Sequence, residues 1–597
     1  MKERLPQLPI FSFPGINHLR GLVYVLLLTG FIGTIDSLPL QAQSAHPSEI
    51  AAEYTRRAAT LRQKWHLNEA ERAFETARVA DKNNISALLG LAEIARIKLD
   101  YQQSLEFLHQ AAFLAQARLE PESVASKAVD ETYLSLLNSY GILYLTIEDP
   151  VTAGQFFEKI LQISPQDSRA WLGKATVALL NRDYAQSENI LTRLSTKRPN
   201  DSSVYSTLAK VFLEQNRYPQ ASSAAQRALD LDPFNLEAKS VLCSVRVIER
   251  NPEAVRKLAQ EVLDLNPYNA RIRRLFSQYI RSRKAMPAVL PEAQKYFEKA
   301  SDFARRKEIE RAIEAYEQAT QLSPAFLQAY LGLGACALSD GNLELATVAA
   351  EQATTIDPEN ALAQLQLSLA HAELHERARK AVGINLPDLP APPEQTAPTD
   401  IGEVFVNYFG LAADQQRIIN LSVAPFAHLL PELKRRGAKH YLLPLDRQLP
   451  EIAGYEMLED RTTFDGRYYS SIRGVGGLVT VSGIEYLNVV EQGGFNTIAH
   501  EFAHQVHSSV FDKPLLERIQ ALYAKAVREG RTLDYYAAAN EWEYFAQGYE
   551  AYVSISKRPG LGITGRHTRD ELRKLDPALY TLIEELANPN FQIAKTR

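Results

Sequence analysis

The sequence predicts a multidomain protein, in which an all-α solenoid of helical repeats is followed by an α+β domain. Three observations predict it. Prolines recur at a 34-residue interval through the first part of the chain, a proline-rich segment then ends this pattern, and strand-like runs followed by helical runs fill the remainder. With 597 residues, the chain is also too long for a single hydrophobic core.

The composition argues against several classes of protein. It is 46% hydrophobic and 23% charged, as in ordinary folded proteins. A net charge of -5, without a long basic run, predicts no nucleic-acid partner. Cys243 and Cys336 are the only cysteines. Neither a disulfide framework nor a cysteine-based zinc site is therefore expected, and both residues are predicted to be small core residues.

Residues 1–44 form a segment of different character. Basic residues precede an apolar run at 21–35, and small residues follow at 42–45. This order is typical of a secretory signal peptide. An uncleaved membrane anchor is the alternative, although the run is short for a bilayer span. In both cases we expect an exported protein that is periplasmic or extracellular.

Residues 50–375 carry the repeats. The 34-residue interval separates Pro165, Pro199, Pro233 and Pro267, and again Pro324 and Pro358. Small residues such as Ala175 and Ser187 recur 24 and 12 positions before the prolines, where two helices must approach closely. The pattern resembles the tetratricopeptide repeat, a helix–turn–helix unit of this period. The resemblance implies a stacked solenoid whose concave surface binds a protein partner.

The repeat pattern is looser at two places. Helical pairs without the strict spacing are predicted at 50–84 and 85–118, and an insertion at 270–292 interrupts the array. The insertion carries basic residues, namely Arg271, Arg273, Arg274, Arg281, Arg283 and Lys284. We interpret them as a solvated helix face, and a site for an acidic ligand is the alternative.

A linker at 376–400, rich in proline between 386 and 398, separates the array from a second domain at 401–597. Strands are predicted between 402 and 485 from the runs VFVNYFG, HYLLPLD, TFDGRYYSSI and GGLVTVSGIEYL. Helices are predicted afterwards, at 494–510, 513–529, 538–556 and 568–587. Strands followed by helices predict an α+β domain.

The first of these helices carries the motif HExxH, with His500, Glu501 and His504 at its defined positions. On a helix, residues four apart share a face, so both imidazoles can bind one metal ion. Glu501 then lies beside that metal, where it can accept a proton from a water molecule. The motif therefore predicts a zinc site for hydrolysis.

A zinc site for peptide hydrolysis needs a third protein ligand and one open position. His507 lies a helical turn beyond the histidine pair, so we expect it to pack or to support the site rather than to bind the metal. The metzincin pattern is rejected, because His507 and Val510 stand where it needs glycine and histidine. From the residues alone, either Glu543 or Glu550 is the third ligand.

The block YAAANEWEYFA, which begins at Tyr536, resembles the catalytic domain of anthrax lethal factor and its relatives, including the Pro-Pro endopeptidases. These are gluzincin metallopeptidases with a zincin-type domain. The resemblance implies that Zn²⁺ is bound by His500, His504 and Glu543, that Glu501 is the general base, and that Tyr536 stabilises the oxyanion. Tyr535 is the less favoured candidate for the last role. Gln547 stands where some relatives have an acid, so it would orient a ligating histidine more weakly.

Three interpretations of function follow, of which the least favoured makes the motif part of a hydrolase that acts on something other than peptide, against the resemblance. The first is an exported zinc endopeptidase whose repeats recruit a protein partner or substrate. The second is a tetratricopeptide scaffold with an inactive or regulatory metallopeptidase-like domain. Upstream of the motif, the segment 473–481 contains three glycines and ends in a strand-like run. It is either an edge strand that pairs with an extended peptide substrate or a structural hairpin.

Overall fold

A computed structural model of the protein describes residues 46–119, 131–282, 284–384, 397–491, 493–558 and 564–591. The predicted signal peptide or anchor at 1–44 lies outside the described residues, as does most of the proline-rich segment. Within the described residues, no helix is both long enough and apolar enough to cross a membrane. Export and membrane anchoring therefore stay predictions.

Helices packed in pairs fill the first part of the chain. They are α1 Pro47–Gln63, α2 Leu67–Ala80, α3 Ile85–Ile97, α4 Tyr101–Leu119, α5 Glu131–Thr146, α6 Pro150–Ile163, α7 Ser168–Leu180, α8 Tyr184–Lys197, α9 Ser202–Glu214, α10 Tyr218–Leu231, α11 Leu236–Ile248, α12 Pro252–Leu265, α13 Ala270–Gln278, α14 Pro291–Arg305, α15 Ile309–Leu322, α16 Leu327–Asp340, α17 Leu343–Ile356 and α18 Ala361–Ala381. Each periodic proline follows the second helix of a pair and prevents its continuation. The helices after five of these six prolines are capped by the side chain two positions beyond the proline, namely Asp167, Asp201, Asn235, Asn269 and Asn360.

A turn residue with left-handed backbone separates the two helices of most pairs. These residues follow the 34-residue interval within three runs, which are Trp65 and Leu99, then Glu148, Arg182, Asn216 and Arg250, then Lys307 and Gly341. At Arg182 the N–H of Asp183 donates to the carbonyl of Ala178 at 2.9 Å, which closes the turn as a Schellman motif. The turn thus fixes the direction in which the side chain of each such residue leaves the solenoid.

Small residues lie where the helices of a pair approach most closely, as the sequence predicts. The Ser187 hydroxyl donates to the carbonyl of Ala175 at 2.8 Å, and the Cys243 thiol makes the same contact with Val255 at 3.6 Å. Both cysteines are buried and unpaired. Larger side chains at these positions would separate the two helices.

The interruption of the array is a missing second helix. After α13, residues 279–290 contain no helix among those described, and α18 packs against α13 instead. The Ser368 hydroxyl of α18 donates to the carbonyl of Ala270 at 2.9 Å. At its other end, α18 reaches the start of the solenoid, where the Tyr101 hydroxyl lies 2.6 Å from Nδ1 of His375. The last helix therefore occupies space between distant repeats, and it continues past residue 375, where the linker was predicted to begin.

The basic residues of the insertion do not share one solvated face: Arg271 and Lys284 are exposed, Arg283 lies outside the described residues, and the other three make contacts. Arg273 is only 6% exposed, and its guanidinium donates to Gln364 of α18 at 2.5 Å. Arg281 forms an ion pair with Asp460, and the Arg274 guanidinium lies 5.1 Å from the ring of Tyr486. These cations contact α18 and the C-terminal domain because the missing helix exposes α13 to both.

The C-terminal domain has a large hydrophobic core and a smaller cluster around Leu443, Leu449, Ile472 and Val481. Its elements are α19 Ile401–Val404, α20 Ala413–Val423, α21 Leu430–Arg435, β1 Lys439–Leu443, β2 Gly474–Val475, β3 Val479–Gly483, α22 Tyr486–Glu491, α23 Thr497–Ser509, α24 Lys513–Glu529, α25 Glu541–Val553, α26 Arg569–Leu575 and α27 Pro577–Leu586. The strands pair in the order β1-β3-β2, with β1 parallel and β2 antiparallel to β3. Helices α23 and α25 pack on each other in the core.

The domain contains less sheet than the sequence predicts. The run at 404–410 contributes only a single bridge, between Phe405 and His440, and the run at 463–472 forms turns. The second run forms a backbone hydrogen bond with the solenoid and not with a strand of the sheet. The N–H of Tyr468 donates to the carbonyl of Gln278 at 3.1 Å. Helices α19 to α21 also precede the first strand, where strands alone were expected. Their apolar residues recur at helical spacing and are buried, and they include Ile418, Ile419, Val423, Phe426, Leu430 and Leu433.

The C-terminal domain docks on the left-handed turns of the solenoid. Arg182 donates to Glu571 at 2.7 Å, and Asn216 accepts from Arg566 at 2.6 Å. In later repeats, the Arg250 guanidinium lies 5.0 Å from the ring of Phe464, and Lys307 donates to the carbonyl of Gly410. We call Arg182, Asn216, Arg250 and Lys307 the turn row. Turns at one repeat position therefore bind successive parts of the C-terminal domain.

Candidate metal centre

Helices α23 and α25 present three side chains to one point. Helix α23 is capped by Asn496, whose side chain accepts from the N–H of Ala499 at 2.9 Å. This cap starts the helix four residues before His500, so that His500 and His504 share the face toward α25. Helix α25 begins at Asn540, whose side chain accepts from the N–H of Glu543 at 2.9 Å. Glu543 therefore lies in the first turn, where its carboxylate reaches both imidazoles.

The three ligand atoms form a nearly equilateral triangle. Nε2 of His500 lies 3.1 Å from Oε2 of Glu543 and 3.1 Å from Nε2 of His504, and the third side, between His504 and Glu543, is 3.3 Å. Ligands about 2.0–2.1 Å from a tetrahedral zinc ion lie roughly 3.3 Å from each other. The donor set and its spacing thus fit zinc. Within the described residues, these three form the group of His, Cys, Asp and Glu side chains that could hold a metal ion.

The electrostatics of the cluster favour an ionised carboxylate beside the histidines. Burial would raise the pKa of Glu543, but His504 and His500 together hold that pKa below its usual range. Burial lowers the pKa of His500, which favours the neutral imidazole that metals bind. A carboxylate and a neutral imidazole are the forms in which these groups ligate zinc. Burial would lower the pKa of His504, but Glu543 and Glu501 together raise that pKa, so zinc at His504 would have to displace a proton.

Glu501 lies beside the cluster in a dry environment. Its side chain is 7% exposed. Burial, together with the nearby Glu543, raises the pKa of its carboxyl group to about 8, against the opposing effects of His504 and Arg467. A carboxyl group whose pKa lies near neutrality can both accept and return a proton.

Two glycines of the predicted strand lie directly against α23. A Cβ on Gly474 would lie 2.5 Å from a carboxylate oxygen of Glu501, and a Cβ on Gly476 would lie 2.1 Å from Cβ of His504. Only glycine permits this approach of β2 to the helix. Strand β2 pairs with β3 along one edge, and no described strand pairs with the other edge. The glycines are therefore structural, and they place a free strand edge next to Glu501.

Tyr536 faces the cluster, whereas Tyr535 does not. Asp534 fixes the local turn, since its carboxylate accepts from the N–H groups of Tyr536 and Ala537 at 3.0 and 2.9 Å. The ring of Tyr536 lies 6.1 Å from that of His500. Tyr535 packs against a buried cluster of α11, α12 and α13 in the solenoid. The structure thus directs Tyr536, and not its neighbour, toward the candidate metal site.

The other candidates of the motif region lie outside the cluster. Glu550 is buried, forms an ion pair with Lys557, and accepts from the N–H of Asn496 at 2.8 Å. His507 stacks on Trp542 at 4.1 Å. Both residues therefore support the two helices rather than the ligand triangle.

The orienting contact expected from Gln547 is absent from the described residues. Nδ1 of His500 is buried without a hydrogen-bond partner there, although Gln547 itself is buried at 2% exposure. The orientation of His500 instead follows from packing, since the Phe495 ring lies 5.3 Å from the imidazole.

Arg467 is a site residue that the sequence did not reveal. Its Nη2 donates to the hydroxyl of Tyr536 at 3.1 Å, and its Nε donates to Asp465 at 3.0 Å. The residue lies far upstream of the motif, in a segment interpreted as a strand. No spacing or composition in that segment distinguishes it from the other arginines of the sequence.

Comparisons with known proteins concern the repeats. Two tetratricopeptide repeat family models match the chain. One matches residues 148–211, and the other matches residues 206–270 and 297–361. The chain therefore contains tetratricopeptide repeats, as predicted, and the structure forms a mostly helical solenoid over them. Neither family match extends into the C-terminal domain. The search of curated proteins gives no match.

Several solved structures are similar to parts of the chain. A tetratricopeptide repeat protein from Parabacteroides merdae shares 18% identity over 38% of this chain and 82% of its own, with a TM-score of 0.30. The Cut9-Hcn1 structure of the APC/C shares 16% identity over 54% of each chain, with a TM-score of 0.29. Yeast Tom70 shares 14% identity over 56% of this chain and 90% of its own, with a TM-score of 0.28.

Proposed function

We propose that the chain is a protein-interaction scaffold whose C-terminal domain is a zinc-dependent endopeptidase. The family matches support the first part, because tetratricopeptide repeats bind protein partners. One observation carries the second part. The ligand atoms of His500, His504 and Glu543 lie within 3.3 Å of each other, with Glu501 and Tyr536 beside them.

The residues of the site divide the reaction between them. When bound, zinc would act as a Lewis acid and lower the pKa of a water molecule toward about 7. Glu501 accepts a proton from the attacking water as its oxygen bonds to the peptide carbon. The same carboxyl returns the proton to the nitrogen as the C–N bond breaks. The Tyr536 hydroxyl donates to the carbonyl oxygen while negative charge develops there.

The free edge of β2 is the proposed binding place of the peptide. An extended segment can add to an unpaired strand edge through backbone hydrogen bonds, with little dependence on sequence. This edge lies next to Glu501, because Gly474 packs on its carboxylate. A peptide on the edge therefore passes close to the base. A protein segment without secondary structure is the substrate class that this arrangement fits.

A scaffold with an inactive C-terminal domain is the second candidate function. The comparisons favour it, since both family matches lie within residues 148–361. In this case the C-terminal domain would only pack against the turn row of the solenoid, and it would not cleave peptides. A zinc-binding measurement alone would not distinguish the peptidase from the inactive scaffold. A comparison of peptide cleavage by wild type and by a variant of the proposed base does.

The test compares Glu501→Gln with wild type in the full-length chain. Both are expected to bind one zinc ion, and the variant should lose cleavage of a peptide library by about 100-fold or more. Glu517→Gln is a matched control on the exposed face of α24, and its cleavage should equal that of wild type. Undiminished cleavage by Glu501→Gln would remove the proposed base. A wild-type chain that binds zinc and cleaves no peptide would support the inactive scaffold.

A further inference from the structure

Residues 460–471 form a strap between the solenoid and the candidate site. The strap folds as a small hairpin, in which the N–H of Tyr469 donates to the carbonyl of Arg461 at 3.0 Å and the N–H of Thr463 donates to the carbonyl of Arg467 at 2.9 Å. Two residues separate it from β2, and it carries Arg467 near its centre. Contacts with the solenoid then fix where this hairpin lies.

The solenoid holds the strap at several points. Arg281 forms an ion pair with Asp460 at one end of the strap. At the other end, the carbonyl of Ile280 accepts from the Ser471 hydroxyl at 2.9 Å. All of these contacts come from the last turn of α13 and the residues after it, where the second helix of the repeat is missing. The interruption of the array thus creates the surface on which the strap lies.

The middle of the strap lies against the turn between α11 and α12. Gly466 has a φ of +85°, and a Cβ there would lie 2.9 Å from Pro252. The Arg250 guanidinium, a member of the turn row, lies 5.0 Å from the ring of Phe464, and that ring lies 5.2 Å from the ring of Tyr536. A solenoid side chain is thereby connected to the candidate oxyanion donor through one aromatic ring.

Arg467 connects the strap to the hydroxyl of Tyr536 through a hydrogen bond. Its Nη2 donates to that hydroxyl at 3.1 Å, while Asp465, which is 1% exposed, holds its Nε at 3.0 Å. An arginine keeps its protons at any pH that a protein tolerates, so it can only donate to the phenol oxygen. The phenol must then direct its own proton elsewhere, and the imidazole ring of the candidate ligand His500 lies 6.1 Å from the Tyr536 ring.

We propose that the solenoid is a structural part of the active site, and that Arg467 is a positioning residue that aims the Tyr536 hydroxyl at the substrate carbonyl. This inference rests on the proposed peptidase function. Tyr535 supports it independently, because its ring is packed in the solenoid cluster of α11 to α13 and anchors the backbone next to Tyr536.

The test uses the full-length chain with Arg467→Gln, Arg467→Lys and the remote variant Arg281→Ala. We expect Arg467→Gln to lower kcat by about 10- to 100-fold, with zinc content unchanged and KM within about threefold of wild type. Arg467→Lys should recover part of the loss, because it keeps a charged donor. Arg281→Ala should give a smaller loss of the same kind. Lys284→Ala, a neighbouring cation that donates to the carbonyl of Ile356 within the solenoid, is the matched control.

A second readout does not depend on activity. 3-Fluorotyrosine placed at position 536 reports the surroundings of the phenol by ¹⁹F NMR. Its resonance should shift in Arg467→Gln and in Arg281→Ala, and should stay in place in Lys284→Ala. An unshifted resonance in both arginine variants would overturn the proposal, as would a wild-type kcat in Arg467→Gln. If the wild-type chain cleaves no peptide, the proposed function fails while the fluorine signal still decides whether Arg467 positions Tyr536.

Discussion

Oε2 of Glu543 lies 3.1 Å from Nε2 of His500, although the two residues are 43 positions apart and belong to different helices. The two side chains meet because caps at Asn496 and Asn540 set where α23 and α25 begin. A buried carboxylate in contact with two imidazoles is stable when a cation or a proton compensates its charge. Zinc meets this requirement and satisfies the geometry of the three ligand atoms at once.

Glu550→Ala should destabilise the protein without removing a metal ligand. Lys557 would lose its ion-pair partner while its side chain stays 2% exposed, and an unpaired buried charge costs about 3–5 kcal/mol. Urea unfolding followed by circular dichroism measures this loss. The double variant Glu550→Leu with Lys557→Met should recover most of it, because no charge then remains buried. Equal stability of Glu550→Ala and wild type would show that the pair is not buried in solution.

Gly476→Ala should damage the metal site through the backbone. The new Cβ would lie 2.1 Å from Cβ of His504, an atom that cannot move without shifting α23. We expect a loss of stability of about 1–3 kcal/mol together with weaker zinc binding, measured by thermal unfolding with and without zinc. Gly477→Ala is the matched control, since its nearest contact is 3.3 Å away. If both variants bound zinc equally well, β2 would not lie against the helix.

The free energy of unfolding should fall as the pH drops below about 6.5. Burial lowers the pKa of His371 to about 4 and that of His440 to about 3. The unfolded chain therefore takes up these protons first, so stability is complete above the ordinary histidine pKa of about 6.5 and is lost toward the folded values. Each histidine contributes a slope of up to about 1.4 kcal/mol per pH unit.

His440→Gln isolates one of these contributions. The imidazole of His440 is fully buried, with Nε2 2.9 Å from the Ser482 hydroxyl. Denaturant unfolding at pH 7 and pH 5 should show a smaller difference for the variant than for wild type. A difference as large as that of wild type would mean that the pKa of His440 is the same in the folded and unfolded states, so that His440 carries no part of the acid sensitivity.

The sequence predicts the parts of this molecule that local spacing controls. The 34-residue interval fixes the helix pairs, their caps and their turns, and the four-residue spacing of His500 and His504 fixes a shared helix face. Glu543 followed only from a family resemblance, because nothing local distinguishes it from Glu550.

Long-range contacts explain what the sequence did not predict. Tyr468 bonds to Gln278 rather than to a strand, so a β-type run became the strap, and Arg467 lies at the site only because of that strap. The insertion itself was visible in the repeat spacing, but nothing local showed that α18 packs on α13 and contacts its basic residues. Packing partners far along the chain override local preference at these places.

Zinc stoichiometry of the full-length chain tests the central claim most directly. The purified protein is dialysed against metal-free buffer, and its zinc content is measured by inductively coupled plasma mass spectrometry. It should retain one zinc ion per chain. Glu543→Ala should weaken zinc binding by more than about 100-fold, since it removes a ligand and not only a supporting contact. Glu541→Ala, two positions away on the same helix, should retain the metal. Zinc-free wild-type protein, or equal zinc in Glu543→Ala and wild type, would contradict the account.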